Sequence, residues 1–158
     1  HLVLSATNVF TDTHVPPPLR LAGVPLLGGL VFRLFVGNRL GLRLLYRQAV
    51  ARRETFRWRD FRRHLRPSGV SFTRRIFQRS LADLPGNYGA VEASLATLDC
   101  PVLVLWGDAD PFFAVAVGER TAEALPTAEL QVFVDTGHFV PEERPAEVTA
   151  AVDAFLSA

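Results

Sequence analysis

Two short stretches of this 158-residue chain hold side chains suited to acid–base chemistry. Gly107-Asp108-Ala109-Asp110-Pro111 follows the apolar run Pro101 to Trp106, and Asp135-Thr136-Gly137-His138-Phe139 follows the run Leu130 to Val134. A carboxylate on one loop can orient an imidazole on the next, fixing its tautomer and stabilising the imidazolium while the second ring nitrogen serves a nucleophile. Asp110 is read as the acid and His138 as the base. Plainer roles compete: Asp110 could cap a helix opening at Pro111, Asp108 could be a turn former, and His138 could be a surface histidine. The chemical reading is favoured because both residues follow apolar runs that read as strands, and open parallel sheets bind ligands outside the carboxyl ends of their strands.

The remaining reactive residues offer less. His1, His14 and His64 show no ligand spacing, and Cys100 is read as a small apolar group at a strand entrance. One cysteine excludes an internal disulfide and a cysteine-based metal site; no metal or organic cofactor is expected. Ser5 closes the first strand and is read as structural. Phe112 and Phe113 could wall a pocket or fill core, and Tyr46 and Trp58 are read as core.

The elements that must position the pair are sharpest from Leu98 onward. Pro101 to Trp106 reads as a parallel strand covered on both faces. Val115 to Leu125 reads as a helix stopped by Pro126, and Leu130 to Val134 as a second strand. Val148, Ala151, Val152, Phe155 and Leu156 recur at helical spacing behind Pro145 and predict a closing helix. His1 to Thr7 reads as a further strand. Between them, residues 12–96 read as helical after the stiff Pro16-Pro17-Pro18. Asn38 and Thr55 are the expected caps, Pro67-Ser68-Gly69 a break, and Pro85-Gly86 the end of a helix through Ile76, Phe77, Leu81 and Leu84. The fold class is therefore α/β, with residues 1–11 and 97–158 in the core and 12–96 as a helical insertion.

Composition agrees with a globular chain, 49% hydrophobic and 21% charged. All 17 basic residues are arginine, 14 of them between Arg33 and Arg79, whereas acids dominate from Asp83 onward. Interleaving with leucine and phenylalanine makes those arginines the solvated face of amphipathic helices, so no nucleic-acid partner is expected. The apolar stretch Leu21 to Phe32 is too short and too broken to span a bilayer, and the cysteine usage suits the cytoplasm.

The stretch Leu98 to Ala158 resembles the α/β-hydrolase family in Trp106, Gly107-Asp108-Ala109-Asp110-Pro111, Gly137-His138 and the run Pro141-Glu142-Glu143-Arg144-Pro145. The order of acid before histidine agrees with that family. The resemblance implies the C-terminal part of a doubly wound, mostly parallel sheet, with His1 to Asn8 as its sixth strand and 12–96 as an inserted helical cap. It further implies hydrolysis of a small apolar substrate, most simply an ester, through a Ser-Asp-His triad. An aspartate nucleophile would turn that chemistry to epoxides or haloalkanes. The family's nucleophile turn, Gly-x-Ser-x-Gly or its Asp and Cys variants, does not occur in the sequence. The expectation is thus a piece of a longer protein, opening in mid-strand, whose partner is the missing N-terminal half of the core. A non-catalytic fragment or interaction module is the competing reading.

Overall fold

The structure is a computed structural model that describes residues 1–12, 24, 28–31, 38–54, 79 and 84–158. The chain divides into two compact units. One contains His1–Val9, Gln48–Phe56 and Val91–Ala158, and the other contains Phe10–Arg47 and Arg57–Ala90.

The first unit is built on a three-stranded parallel sheet in the order β1-β2-β3, with β1 at Leu2–Ser5, β2 at Val102–Gly107 and β3 at Ala128–Phe133. Leu2 pairs with Val102 and Val102 with Ala128, so the three strands run in step. Every residue of β2 is buried, as its unbroken apolar sequence requires of a central strand. One face of β2 presents Leu103 and Leu105, which cluster with Ala6, Phe133 and Val140. The closing helix packs there through Val148, Ala151, Val152 and Phe155. Leu156, the fifth member of the predicted stripe, is instead 54% exposed. The opposite face holds Trp106, fully buried, against which Gly118 of the following helix lies so closely that a Cβ would strike the indole. Burying side chains of this size contributes about 1.5–3 kcal/mol each.

Helices are numbered in chain order: α1 Gly28–Val31, α2 Arg39–Ala49, α3 Leu84–Ser94, α4 Val115–Glu123, α5 Val140–Glu143 and α6 Pro145–Ser157. In the second unit the Asn38 cap is observed, its Oδ1 accepting the Gly41 N–H at 2.7 Å. The expected helix end at Pro85-Gly86 is not: α3 begins at Leu84, so Pro85 lies in its first turn. A proline there lacks only an N–H that the first turn leaves without a helical partner anyway. The Thr55 cap, the Pro67-Ser68-Gly69 break, the proline triplet, Trp58, His14 and His64 lie outside the described residues. Among the described residues no helix is long and apolar enough to cross a membrane.

Candidate functional site

The loop after β2 holds itself in shape. Asp110 Oδ1 accepts the N–H groups of Phe112 and Phe113 at 2.8 and 3.1 Å, while the Asp110 N–H donates to the Gly107 carbonyl at 3.3 Å. These are bonds within three residues, the short-range capture of backbone donors at which aspartate excels. Helix α4 starts only at Val115, so Asp110 closes a loop and does not cap a helix at Pro111. Trp106 reinforces the loop from below, its indole N–H donating to the Phe113 carbonyl at 2.9 Å. Asp108 serves differently: its Oδ1 accepts the Thr136 N–H at 3.3 Å and so links the two loops.

The loop after β3 turns through Asp135, whose φ of 50° is a left-handed conformation that aspartate tolerates better than most residues. One glycine lets the loops meet, and a second seats the histidine loop on residues 49–51. A Cβ on Gly107 would collide with the carbonyl oxygens of Thr136 and Gly137, and one on Gly137 with the Ala49 carbonyl oxygen. The spacing Gly-x-x-Asp and the pair Gly-His thereby acquire a steric reason.

The two candidate residues meet. His138 Nδ1 lies 2.8 Å from Asp110 Oδ2, with the Asp110 side chain wholly buried and that of His138 22% exposed. A carboxylate only accepts, so the proton of this bond sits on Nδ1 and the basic lone pair on Nε2. Phe112, Phe113 and Phe139 surround the ring, with centroids 5.0, 5.7 and 5.4 Å from that of the imidazole. Phe112 and Phe113 are half-buried walls of this ring and not core. Of the other residues considered, His1 packs edge-on against Phe155, Ser5 ends β1 opposite Leu105, Tyr46 is buried, and Cys100 is only half-buried.

Sequence reasoning missed the residues that hold His138 in place. Glu143 is buried, and its Oε1 accepts the Gly137 N–H at 2.8 Å. Its Oε2 accepts the N–H groups of Ala51 and Arg52 at 2.9 and 3.1 Å. The His138 N–H donates to the Ala49 carbonyl at 2.7 Å. Arg144 grips the same loop, donating to the Thr136 hydroxyl at 3.0 Å and to the Val134 carbonyl. The only signal was the run Pro141 to Pro145, noted for its likeness alone. Burial, and then the neighbouring Glu143 charge, push the Glu142 carboxyl above its usual range.

The sequence profile of the alpha/beta hydrolase family matches residues 2–152. Curated relatives match shorter stretches. Epoxide hydrolase A of Mycobacterium tuberculosis is 39% identical over 62 residues, 39% of this chain and 19% of that enzyme. The 2-hydroxy-6-oxononadienedioate/2-hydroxy-6-oxononatrienedioate hydrolase of Cupriavidus pinatubonensis is 31% identical over 80 residues, 51% of this chain and 28% of that enzyme. Among solved structures, 2-hydroxy-6-oxo-6-phenylhexa-2,4-dienoate hydrolase from Rhodococcus sp. strain RHA1 superposes with a TM-score of 0.69 at 22% identity. The match covers 99% of this chain and 54% of that one. A thermophilic esterase from Thermogutta terrifontis superposes with a TM-score of 0.62 at 22% identity, covering 99% and 55%. The chain thus spans about half the length of these solved structures. With its parallel sheet and a profile match over nearly its whole length, the chain belongs to the alpha/beta hydrolase family.

Proposed function

We propose that this chain supplies the acid Asp110 and the base His138 of a hydrolytic triad whose nucleophile, a serine, comes from polypeptide outside these residues. The observation that carries the reading is the 2.8 Å bond from His138 Nδ1 to the buried Asp110 Oδ2. A carboxylate so placed leaves Nε2 to do the chemistry. In this reading Nε2 takes the hydroxyl proton as the serine oxygen attacks an ester carbonyl, then returns it to the departing alcohol as the acyl–oxygen bond breaks. The same nitrogen next removes a proton from water as its oxygen attacks the acyl carbon, then gives that proton to the serine oxygen as the acyl–serine bond breaks and the acid is released. The unit of Phe10–Arg47 and Arg57–Ala90 is read as the cap, without Gln48–Phe56, which belongs to the sheet unit. The three phenylalanines around the imidazole favour a largely apolar substrate.

A second reading is favoured by the likeness to Epoxide hydrolase A: a carboxylate nucleophile, with His138 activating the water that cleaves the ester intermediate. The test is turnover of p-nitrophenyl esters and of aryl epoxides by the full-length protein and its His138→Ala variant. Loss of about a thousandfold or more in the variant is expected. Equal rates for both proteins would end the role assigned to His138. A single turnover in oxygen-18 water separates the nucleophiles, since an aspartate would deliver its own unlabelled oxygen to the product alcohol.

A further inference from the structure

Both oxygens of the Glu143 carboxylate accept from backbone N–H groups, and those groups lie 6 and about 90 residues away in the chain: Gly137 on one side, Ala51 and Arg52 on the other. Gly137 leads directly into His138, whose own N–H is held by the Ala49 carbonyl. Ala49, Ala51 and Arg52 belong to Gln48–Phe56, the piece of the sheet unit that is bracketed in sequence by the two stretches of the other unit. The backbone carrying the imidazole is therefore tied to a segment remote in sequence twice, directly at His138 through Ala49 and at Gly137 through the Glu143 carboxylate. Gly137 also has no room to yield, since a Cβ there would meet the Ala49 carbonyl oxygen, the Ala51 nitrogen and Glu143 Oε1.

We propose that Glu143 is a positioning residue for His138: its carboxylate clamps the histidine loop to residues 49–52, and that clamp sets the ring against Asp110. The proposal rests on His138 being the base. Misplacing a reacting group by about 1 Å costs on the order of a hundredfold in rate, so a clamp of this kind acts on turnover without touching substrate. Glutamine is nearly isosteric but exchanges one acceptor for an N–H₂ group, which must face either Gly137 or the Ala51 and Arg52 pair, donor against donor.

The experiment is Glu143→Gln in the full-length protein with nitrogen-15-labelled histidine. Expected are a fall in kcat of about 10- to 100-fold, little change in KM, and a His138 ring signal displaced from a single Nδ1–H tautomer toward a mixture. A folded variant with the wild-type ring signal would overturn the proposal, whatever its activity. A displaced ring signal in a protein whose His138→Ala variant stays active would uphold the clamp and remove the catalytic reading. If Glu143→Gln does not fold, amide exchange of the unmodified protein decides. Gly137, Ala51 and Arg52 should open together at one rate, and three unrelated rates would overturn the clamp.

Discussion

The two loops that bring Asp110 and His138 together are tied to each other through Asp108 and Ala109, but each is closed in a different way. The acid loop is closed by its own side chain, Asp110 Oδ1 taking the N–H groups two and three residues on. The histidine loop is closed from outside, by Glu143, Arg144 and the Ala49 carbonyl. A loop with local bonds keeps its shape wherever the chain places it, whereas a loop with remote bonds has a shape only in the finished fold. The first carries the buried Asp110 carboxyl, the second the imidazole that meets it at 2.8 Å.

The largest effect should separate the two aspartates of the acid loop. Asp110→Asn keeps an acceptor for Phe112 and Phe113 but turns an N–H₂ toward His138 Nδ1, forcing the ring proton to Nε2. Activity of the full-length protein should fall by on the order of 10⁴-fold with folding retained. Asp108→Asn still accepts from Thr136 and should stay within about twofold. Comparable losses in both would show that the loop, and not the carboxylate against the ring, is what matters.

A smaller contrast concerns glycines. Gly137→Ala must displace the Ala49 carbonyl and Glu143, and should destabilise by about 1–3 kcal/mol or more in denaturant titrations. Gly89→Ala, in α3 with nothing within 4 Å of the added methyl, should stabilise by about 0.5–1 kcal/mol. A neutral Gly137→Ala would mean that the histidine loop is not held as tightly as its remote bonds suggest.

The smallest effect is electrostatic and belongs beside the clamp. The Glu142 carboxyl is raised by burial and by Glu143, so the folded state favours its protonated form. That contribution is present below the ordinary carboxylate range and is lost as pH rises through the raised value. Glu142→Gln should therefore gain melting temperature over the wild type on going from about pH 4 to about pH 7. A difference that is flat across that range would contradict the shift.

Legibility followed the range of the interactions. β2 could be read because it is an unbroken apolar run ending at a polar turn. β3 could be read from its leucine, valine and phenylalanine, although it spans Ala128–Phe133 and leaves Val134 exposed. α6 could be read because four of its five stripe residues do face the core. Pro85 was misread because a proline ends one helix and opens another with the same local sequence, and only the neighbouring backbone decides which. Asp110 and His138 were legible as side chains at strand ends. Glu143 was not, because a glutamate in a Pro-Glu-Glu-Arg-Pro run looks solvated until the backbone donors it serves are known.

What the sequence determined by itself was the strand–helix–strand–helix order, the loops that follow the strands, and the acid that shapes its own loop, all set within a few residues. The approach of the two loops through Gly107, the seating of Gly137 and His138 on Ala49, and the burial of Glu143 were decided only in the tertiary structure. The physical reason is that each joins groups far apart in the chain, whose meeting depends on the sheet register and the packing around it.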